Sequence, residues 1–530
     1  MPVIIGLDVG TTAVKAVAFD TESPWRRAAL REYPLLEPEP RWQVQDPGTV
    51  LAAVDEALAQ CVAACEGRRV DAVGLSSAMH GLVGLGPDLR PVTPVLTWAD
   101  SRAHAEAREL RREGRARDLL HLTGTPVHPM SPLTKLRWFA RHGGDVLGRV
   151  HRWADLKALL LLHLTGTFAT ELSSASGTGL LDLRAREWAP TALEIAGIGR
   201  EALPEVLPTT AVLGLRGAVA ARVGLPAGTP LNVGAADGPL GNLGTGATGP
   251  GVAGLSVGTS GAVRVVVPEP RSDPDGRLFC YALTEDAWVV GGAVSNGGLV
   301  LRWAADTFAA DLSPGPQRDA AVLDLACQVP PGSDGLVMLP YLLGERAPLW
   351  DPDLRGAYLG VRRSHSREHF LRAAVEGVSI QLAGIVDLLE QVTPVDAVRA
   401  TGGVFRSRLW QVVVAGALGK PLVLAGDAEG TALGAAALAR YATGEAPTLM
   451  AAVAELTFEH DEATIEAGAD DVALYAALRR SVPALLDAYT EMREHLSAVQ
   501  ARAGQRQGTA AAAAPAPERR EGTIPSSLPE

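Results

Sequence analysis

Apolar residues recur along this chain with two periods, and the switches between them mark out its elements. Residues 3–9, Val-Ile-Ile-Gly-Leu-Asp-Val, form a near-continuous apolar run, the pattern of a buried strand. The turn Gly10-Thr11-Thr12 follows, and residues 13–20 alternate as a second strand. From 47 to 66 the period becomes helical, with Val50, Leu51, Val54, Leu58 and Val62 on one face. Strand patterns return at 70–76, 95–97, 230–233, 254–257, 288–294 and 336–339. Helical spacing is expected at 153–166, from Leu299, and over 369–389, with a small-residue helix at 433–438 that could pack beside the turn Gly402-Gly403. A Ser/Thr-rich loop is expected at 173–178, and from about 501 the pattern stops.

Two of these strand–turn–strand units resemble each other. Gly6-Leu7-Asp8-Val9-Gly10-Thr11-Thr12 matches Gly254-Leu255-Ser256-Val257-Gly258-Thr259-Ser260 as Gly-Leu-x-Val-Gly-Thr-hydroxyl. One copy opens each half, which implies a duplicated architecture. A tight turn between strands gathers backbone N–H groups and hydroxyls at one point, which suits phosphate oxygens. Asp8, at a strand end, is placed to hold hydrated Mg²⁺; the second copy has Ser256 there and suits a metal less.

A carboxylate stands alone in Gly234-Ala-Ala-Asp237-Gly-Pro-Leu-Gly-Asn-Leu-Gly244. Small neighbours allow close approach of a ligand, so Asp237 could serve as a general base; read from its segment alone, a helix-capping Asp is the simpler account. His80 follows a strand in Ser76-Ser-Ala-Met-His-Gly81 and fits a pocket or a core equally. Trp98, Asp100 and Arg102 make either a polyol grip or a turn held by an Asp–Arg pair. Ala400-Thr-Gly402-Gly403 is a Gly-rich turn open to a flat base or ribose, with Arg406 just beyond.

Length and charge narrow the classes. The 530 residues exceed one ordinary core, and a net charge of -12 argues against nucleic acid or an anionic membrane as partner. Cys61, Cys65, Cys280 and Cys327 show no zinc spacing, no basic-then-apolar leader precedes residue 3, and the apolar run at 158–164 is too short to span a bilayer; a cytoplasmic protein is expected. Lys15, Lys135, Lys157 and Lys420 are the only lysines and none precedes Ser or Thr, so no Walker-type loop exists. Phosphate binding, if it occurs, falls to the two Gly-Thr turns.

Met130-x-Pro132-x-x-Lys135-Leu136-x-Trp138-Phe139, then Gly356-Ala-Tyr-Leu-Gly-Val361 through His369-Phe370 and Ala373-Ala-Val-Glu376, resemble the two signatures of the FGGY carbohydrate kinases. Within that family the segments 76–80, 97–102, 124–130, 279–284 and 296–303 are similar to the bacterial gluconokinase subgroup; Ser295-Asn296 departs mildly from its Asn-Asn. The resemblance implies an α/β fold of the duplicated actin-like, ribonuclease-H type, two domains flanking a catalytic cleft. The expected boundaries are 1–246, 247–497 and a disordered tail at 498–530.

It further implies ATP and Mg²⁺, with Asp8 at the metal and Asp237 as base toward C6 of D-gluconate. Gly10, Thr11, Thr12, Lys15, Gly258, Thr259 and Ser260 are expected around the phosphates. Gly297, Gly402, Gly403 and Arg406 are expected at the nucleotide end. Met79, His80, Trp98, Asp100, Arg102, Lys157, Asp237 and Arg346 are the sugar candidates, with Arg102, Lys157 or Arg346 meeting the carboxylate. A xylulokinase or other polyol kinase, and a non-catalytic actin-like ATP-binding protein, are the alternatives; a homodimer is compatible with all of them.

Overall fold

The computed structural model describes residues 2–426, 430–458 and 462–512. The first apolar run forms β1 (Pro2–Val9), buried along nearly all its length, and the Gly-Thr-Thr turn returns the chain as antiparallel β2 (Ala13–Asp20). β3 (Arg26–Glu32) completes a meander, and β4 (Arg69–Ser77) adds to β1 in parallel. After β5 (Val212–Gly214), β6 (Pro230–Ala236) runs parallel to β4, giving the order β5-β6-β4-β1-β2-β3. Helix α1 (Pro47–Ala63) starts at a proline with Asp46 capping the Thr49 N–H at 2.7 Å. Its apolar face puts Val50, Val54, Leu58 and Cys61 into the core shared with Ile5 and Leu7.

Three further helices of this half shape the site: α2 (Leu156–Thr165), α3 (Leu172–Ser176) and α4 (Asp237–Gly244). The helical spacing of 153–166 begins later than expected, because Asp155 accepts from the Ala158 N–H and residues before it pair as a strand. The expected loop at 173–178 is instead helical at its start, since the Glu171 carboxylate caps the Ser173 and Ser174 N–H groups.

The second sheet repeats the plan. β7 (Gly251–Val257) and β8 (Gly261–Val267) form the matching hairpin; β9 (Phe279–Ala282) and β10 (Trp288–Val294) extend it beyond β8. β11 (Val395–Thr401) lies parallel to β7, followed by β12 (Leu422–Leu424) and β13 (Thr464–Ile465). The runs β3-β2-β1-β4-β6 and β10-β8-β7-β11-β12 share order and strand sense, so the repeated Gly-Thr string is a repeat of topology.

α5 (Arg367–Leu389) is buried along most of its length against the second sheet, whereas α6 (Gly430–Ala442) crosses to the first. α6 packs chiefly on β1, β4 and α4, and its first residues, Gly430 to Ala432, line the same cavity as Thr401 and Gly402. The approach is tight: a Cβ at Gly6 would lie 1.9 Å from the Ala432 carbonyl oxygen, and one at Gly74 2.1 Å from that of Ala435. The described residues up to Ala476 form one compact unit and those from Ala477 to Ala512 a second. The tail expected from 498 is helical to Ala512, in keeping with its alanine content; 513–530 lie outside the described residues. Among the described residues no helix is long and apolar enough to cross a membrane.

Candidate active site

β6 does not end as a regular strand. Its register against β4 shifts between Asn232 and Ala235, and Gly234 takes φ +71°, a conformation that L side chains rarely adopt. A Cβ there would also lie 1.8 Å from the Leu75 carbonyl oxygen. The chain then leaves the sheet at Ala236 and begins α4 with Asp237, one position past the cap. Asp237 Oδ1 accepts from the Gly238 N–H at 2.8 Å and the Met79 N–H at 3.3 Å. Burial raises its pKa above the usual aspartate range, against the pull of Arg264, the two N–H donors and Lys157. A helix start with a raised carboxylate facing a cavity suits proton abstraction better than capping.

That cavity has a volume of about 470 Å³ and is lined from both sheets. On the first side stand Asp8 and Lys15, paired across the β1–β2 hairpin. Ser76 Oγ donates to Asp8 Oδ1 at 2.9 Å; burial, then the nearby charge of Asp237, push Asp8 up to about 6. The turn between them is clamped from behind: Tyr33 Oη donates to the Gly10 carbonyl (2.6 Å) and Gln45 Nε2 to that of Thr11 (2.7 Å). Thr12 is exposed at the turn, and Thr11 Oγ1 accepts from Trp98 Nε1 at 3.0 Å, which joins the turn to the cavity wall that carries Trp98.

On the second side Gly258 and Ser260 line the cavity, with Thr259 between them. Gly297 sits behind this turn, where its N–H donates to the Thr259 carbonyl at 3.1 Å and a Cβ would collide with Ser260. It backs the Gly258–Ser260 turn and does not line the cavity. Gly402 does line it, beside Thr401; Gly403 has open space beside it, and Arg406 is exposed at the end of a short 3-10 turn.

Met79, His80, Trp98 and Arg346 reach the cavity together. His80 Nδ1 lies 2.6 Å from the Gly177 carbonyl, so Nδ1 carries the proton and Nε2 keeps its lone pair. Burial holds the ring neutral, its pKa down to about 3. Buried Lys135 ties the loops at the carbonyls of His80 (2.9 Å) and Thr97 (2.7 Å). Arg346 is aimed by its neighbours: its Nη2 donates to the Val294 carbonyl at 2.7 Å, and its guanidinium lies over the Trp98 ring at 5.0 Å. Glu345 makes no ion pair with it: that carboxylate accepts from Ser295, Asn296, Gln381 and the Arg346 N–H, and its charge acts on the guanidinium only at longer range, against the lowering by burial. Arg346 Nε has no hydrogen-bond partner.

Three sugar candidates are not brought to the cavity. Asp100 and Arg102 form a bidentate pair (2.8 and 2.7 Å), with Arg102 stacked 3.7 Å over Trp42; the Asp–Arg turn, not the polyol grip, is what forms. Lys157 is fully buried behind β4 and β6, bound to three backbone carbonyls.

Other residues take part that were not anticipated. Arg264 lines the cavity from β8, with a 3.4 Å hydrogen bond to Ser256 Oγ; burial lowers it to about 10, and Asp237 opposes that shift. Tyr281 is buried beside His80, its hydroxyl unpartnered, and Phe279 stacks on it at 4.4 Å. A lone Arg in Gly-Ala-Val-Arg-Val-Val-Val was the available signal for Arg264. No group of three or more potential metal ligands exists among the described residues, so a metal here would be held by Asp8 and completed by water and phosphate. Asp8's raised pKa fits that role, being the mark of a carboxylate short of a cation.

Residues 3–244 match the N-terminal domain of the FGGY family of carbohydrate kinases, and residues 253–443 match its C-terminal domain. The chain is 36% identical over 450 residues to a gluconokinase of Bacillus subtilis, covering 83% of this chain and 88% of that one. Its fold superposes on the crystal structure of a gluconate kinase from Lactobacillus acidophilus with TM-score 0.86 and 32% identity, over 92% and 98% of the two chains. A ligand-bound xylulose kinase from the same organism matches equally, TM-score 0.86 and 32% identity, over 94% and 99%. With two family domains in sequence, the duplicated sheets and one cavity joining them, this chain belongs to the FGGY family of carbohydrate kinases.

Proposed function

We propose that this kinase transfers the terminal phosphoryl group of ATP to the C6 hydroxyl of D-gluconate, in the cytoplasm, whose reducing conditions suit its free cysteines. The observation that carries the reading is the charge of the cavity. Arg264 and Arg346 face it together with Asp237, and among the described residues neither makes an ion pair within 4.0 Å. A sugar acid adds an anion that can pair with these guanidiniums directly, beyond the more distant charges of Asp237 and Glu345; a neutral polyol does not. The gluconokinase of B. subtilis at 36% identity supports the same substrate.

The roles follow from position. Asp237 accepts the C6 hydroxyl proton as that oxygen bonds to the γ-phosphorus and the bond to the β-bridging oxygen breaks. Thr11, Thr12, Thr259 and Ser260 donate to the phosphate oxygens from opposite sides, with Lys15 adding charge. Asp8 would hold Mg²⁺, which would supply charge neutralisation for the phosphate oxygens. Gly402, Gly403 and Arg406 flank the nucleotide. Met79, His80 and Trp98 hold the sugar hydroxyls, and His80 Nε2 can only accept.

A second reading, a xylulose kinase, draws support from the equally close L. acidophilus structure. ADP release measured across gluconate, xylulose, ribulose and glycerol separates them, with the phosphate position of the product checked. Gluconate is expected to give the highest kcat/KM; a higher value for xylulose would sink the gluconate assignment. ATP hydrolysis independent of every sugar would favour an actin-like, ATP-gated binding protein that phosphorylates no sugar.

A further inference from the structure

Lys157, like Lys135, is fully buried, and it does not line the cavity that holds Asp237. A lysine is rarely so buried without partners, and here the partners are specific. Its Nζ donates to the carbonyls of Leu75 at 2.8 Å, Val233 at 2.7 Å and Ala235 at 3.1 Å. An ammonium has three donors, and three acceptors take them; a neutral amine would turn a lone pair toward one carbonyl.

The three carbonyls are not arbitrary. Leu75 belongs to β4, and Val233 and Ala235 flank Gly234 in the bulge of β6. The ladder between these strands is interrupted there, and the ammonium stands in for the missing rungs. Two residues beyond Ala235 is Asp237. The far side of the bulge is held as well: the Ala236 N–H donates to Ser173 Oγ at 3.2 Å. Ser173 is fixed in turn by Glu171, whose Oε1 lies 3.8 Å from Lys157 Nζ; all three side chains are fully buried.

We propose that Lys157 is a positioning residue for Asp237: its ammonium locks the bulged end of β6 to β4, so that the chain leaves the sheet with the Asp237 carboxylate aimed into the cavity. The proposal rests on Asp237 being the base. Burial lowers Lys157 to about 8, while Glu171, Asp155, Asp237 and Asp8 hold it up, so it keeps its proton near neutral pH. Ser173 completes the grip from α3.

A double-mutant cycle tests it on the full chain with the best substrate of the panel. Lys157→Met is expected to lower kcat by at least about 30-fold, since small misplacements of a reacting group cost on the order of 100-fold, with both KM values within about threefold. In an Asp237→Asn background the same change should cost less than about twofold, because the group it positions is already gone. An equal loss in both backgrounds, or a kcat loss under about threefold in the single variant, overturns the proposal. If Lys157→Met does not fold, Ser173→Ala replaces it: kcat should fall at least about threefold at constant KM, again non-additively, and a wild-type kcat overturns the proposal. Near-normal turnover by Asp237→Asn alone would remove the base, and this proposal with it. A slow Asp237→Asn with an additive cycle removes only the positioning role.

Discussion

Replacing Asp8 with Asn should make the free protein more stable while making it a poor enzyme. Asp8 is held at about 6, first by burial and then by the charge of Asp237. Against an ordinary aspartate near 3.9, at about 1.4 kcal/mol for each tenfold change in proton affinity, the charged form costs the folded chain up to about 3 kcal/mol. Water in the cavity screens part of this, so about 1 to 3 kcal/mol is expected. The sign is fixed by proton counting. Between about pH 4 and 6 the folded chain binds more protons at this site than the unfolded chain, so stability falls as pH rises through that window and stays lower above it. Asn keeps the shape, and its oxygen can still accept from Ser76 Oγ, now without charge. Thermal melts with EDTA present should place Asp8→Asn roughly 1 to 3 °C above wild type at pH 8, a gain that fades toward pH 4. Because Asp237 contributes to the shift, Asp237→Asn should also stabilise, and the double variant should gain less than the sum. A lower melting point for Asp8→Asn at pH 8, or a gain that does not depend on pH, would refute the reasoning. In either site variant lost turnover accompanies the gain, the usual cost of removing a strained functional charge.

Asp237→Asn should cut kcat by at least about 100-fold with ATP affinity, measured by calorimetry, near normal; wild-type turnover would exclude it as base. Arg346→Met should lower kcat/KM for gluconate about 10- to 100-fold, from the 1.5–3 kcal/mol of a charge-assisted hydrogen bond, while changing xylulose turnover little. Equal losses on both substrates would show that Arg346 does not read the carboxylate. Gly6→Ala drives a methyl to 1.9 Å from the Ala432 carbonyl, so α6 must back away from β1; a loss of about 3 kcal/mol or more is expected in melts, and unchanged stability would mean the seam is softer than its geometry.

How much of this could be read from the residues alone depended on how far away the answer lay. The hairpins at Gly10 and Gly258 were legible because strand period, turn chemistry and repetition all sit within a dozen residues. Asp237 was legible as open to a neighbour, since only small side chains surround it, but its placement at a cavity rests on a bulge and on Met79, 158 positions away. Asp100 and Arg102 were misjudged for a related reason: a pair of opposite charges two apart reads the same whether it grips a sugar or closes on itself, and Trp42 stacking decides for the second.

The sharpest contrast is between two cations in apolar sequence. Lys157 in Leu-Lys-Ala-Leu-Leu and Arg264 in Ala-Val-Arg-Val-Val each had to be neutralised or satisfied somewhere, and neither string says where. For Lys157 the answer is set by carbonyls 76, 78 and 82 positions away that converge only because β6 bulges. A compact ammonium with three rotatable donors fits that convergence, and a planar guanidinium would not. Arg264 presents the opposite geometry. Its flat fork finds one long bond to Ser256 and no carboxylate, so its remaining donors face a cavity where planar oxyanions, a carboxylate or a phosphoryl group, would meet them. On the proposed reading, the cation that found its partners inside the fold would hold Asp237 in place, and the two arginines on the cavity wall, which make no ion pair within 4.0 Å among the described residues, would select an anionic substrate.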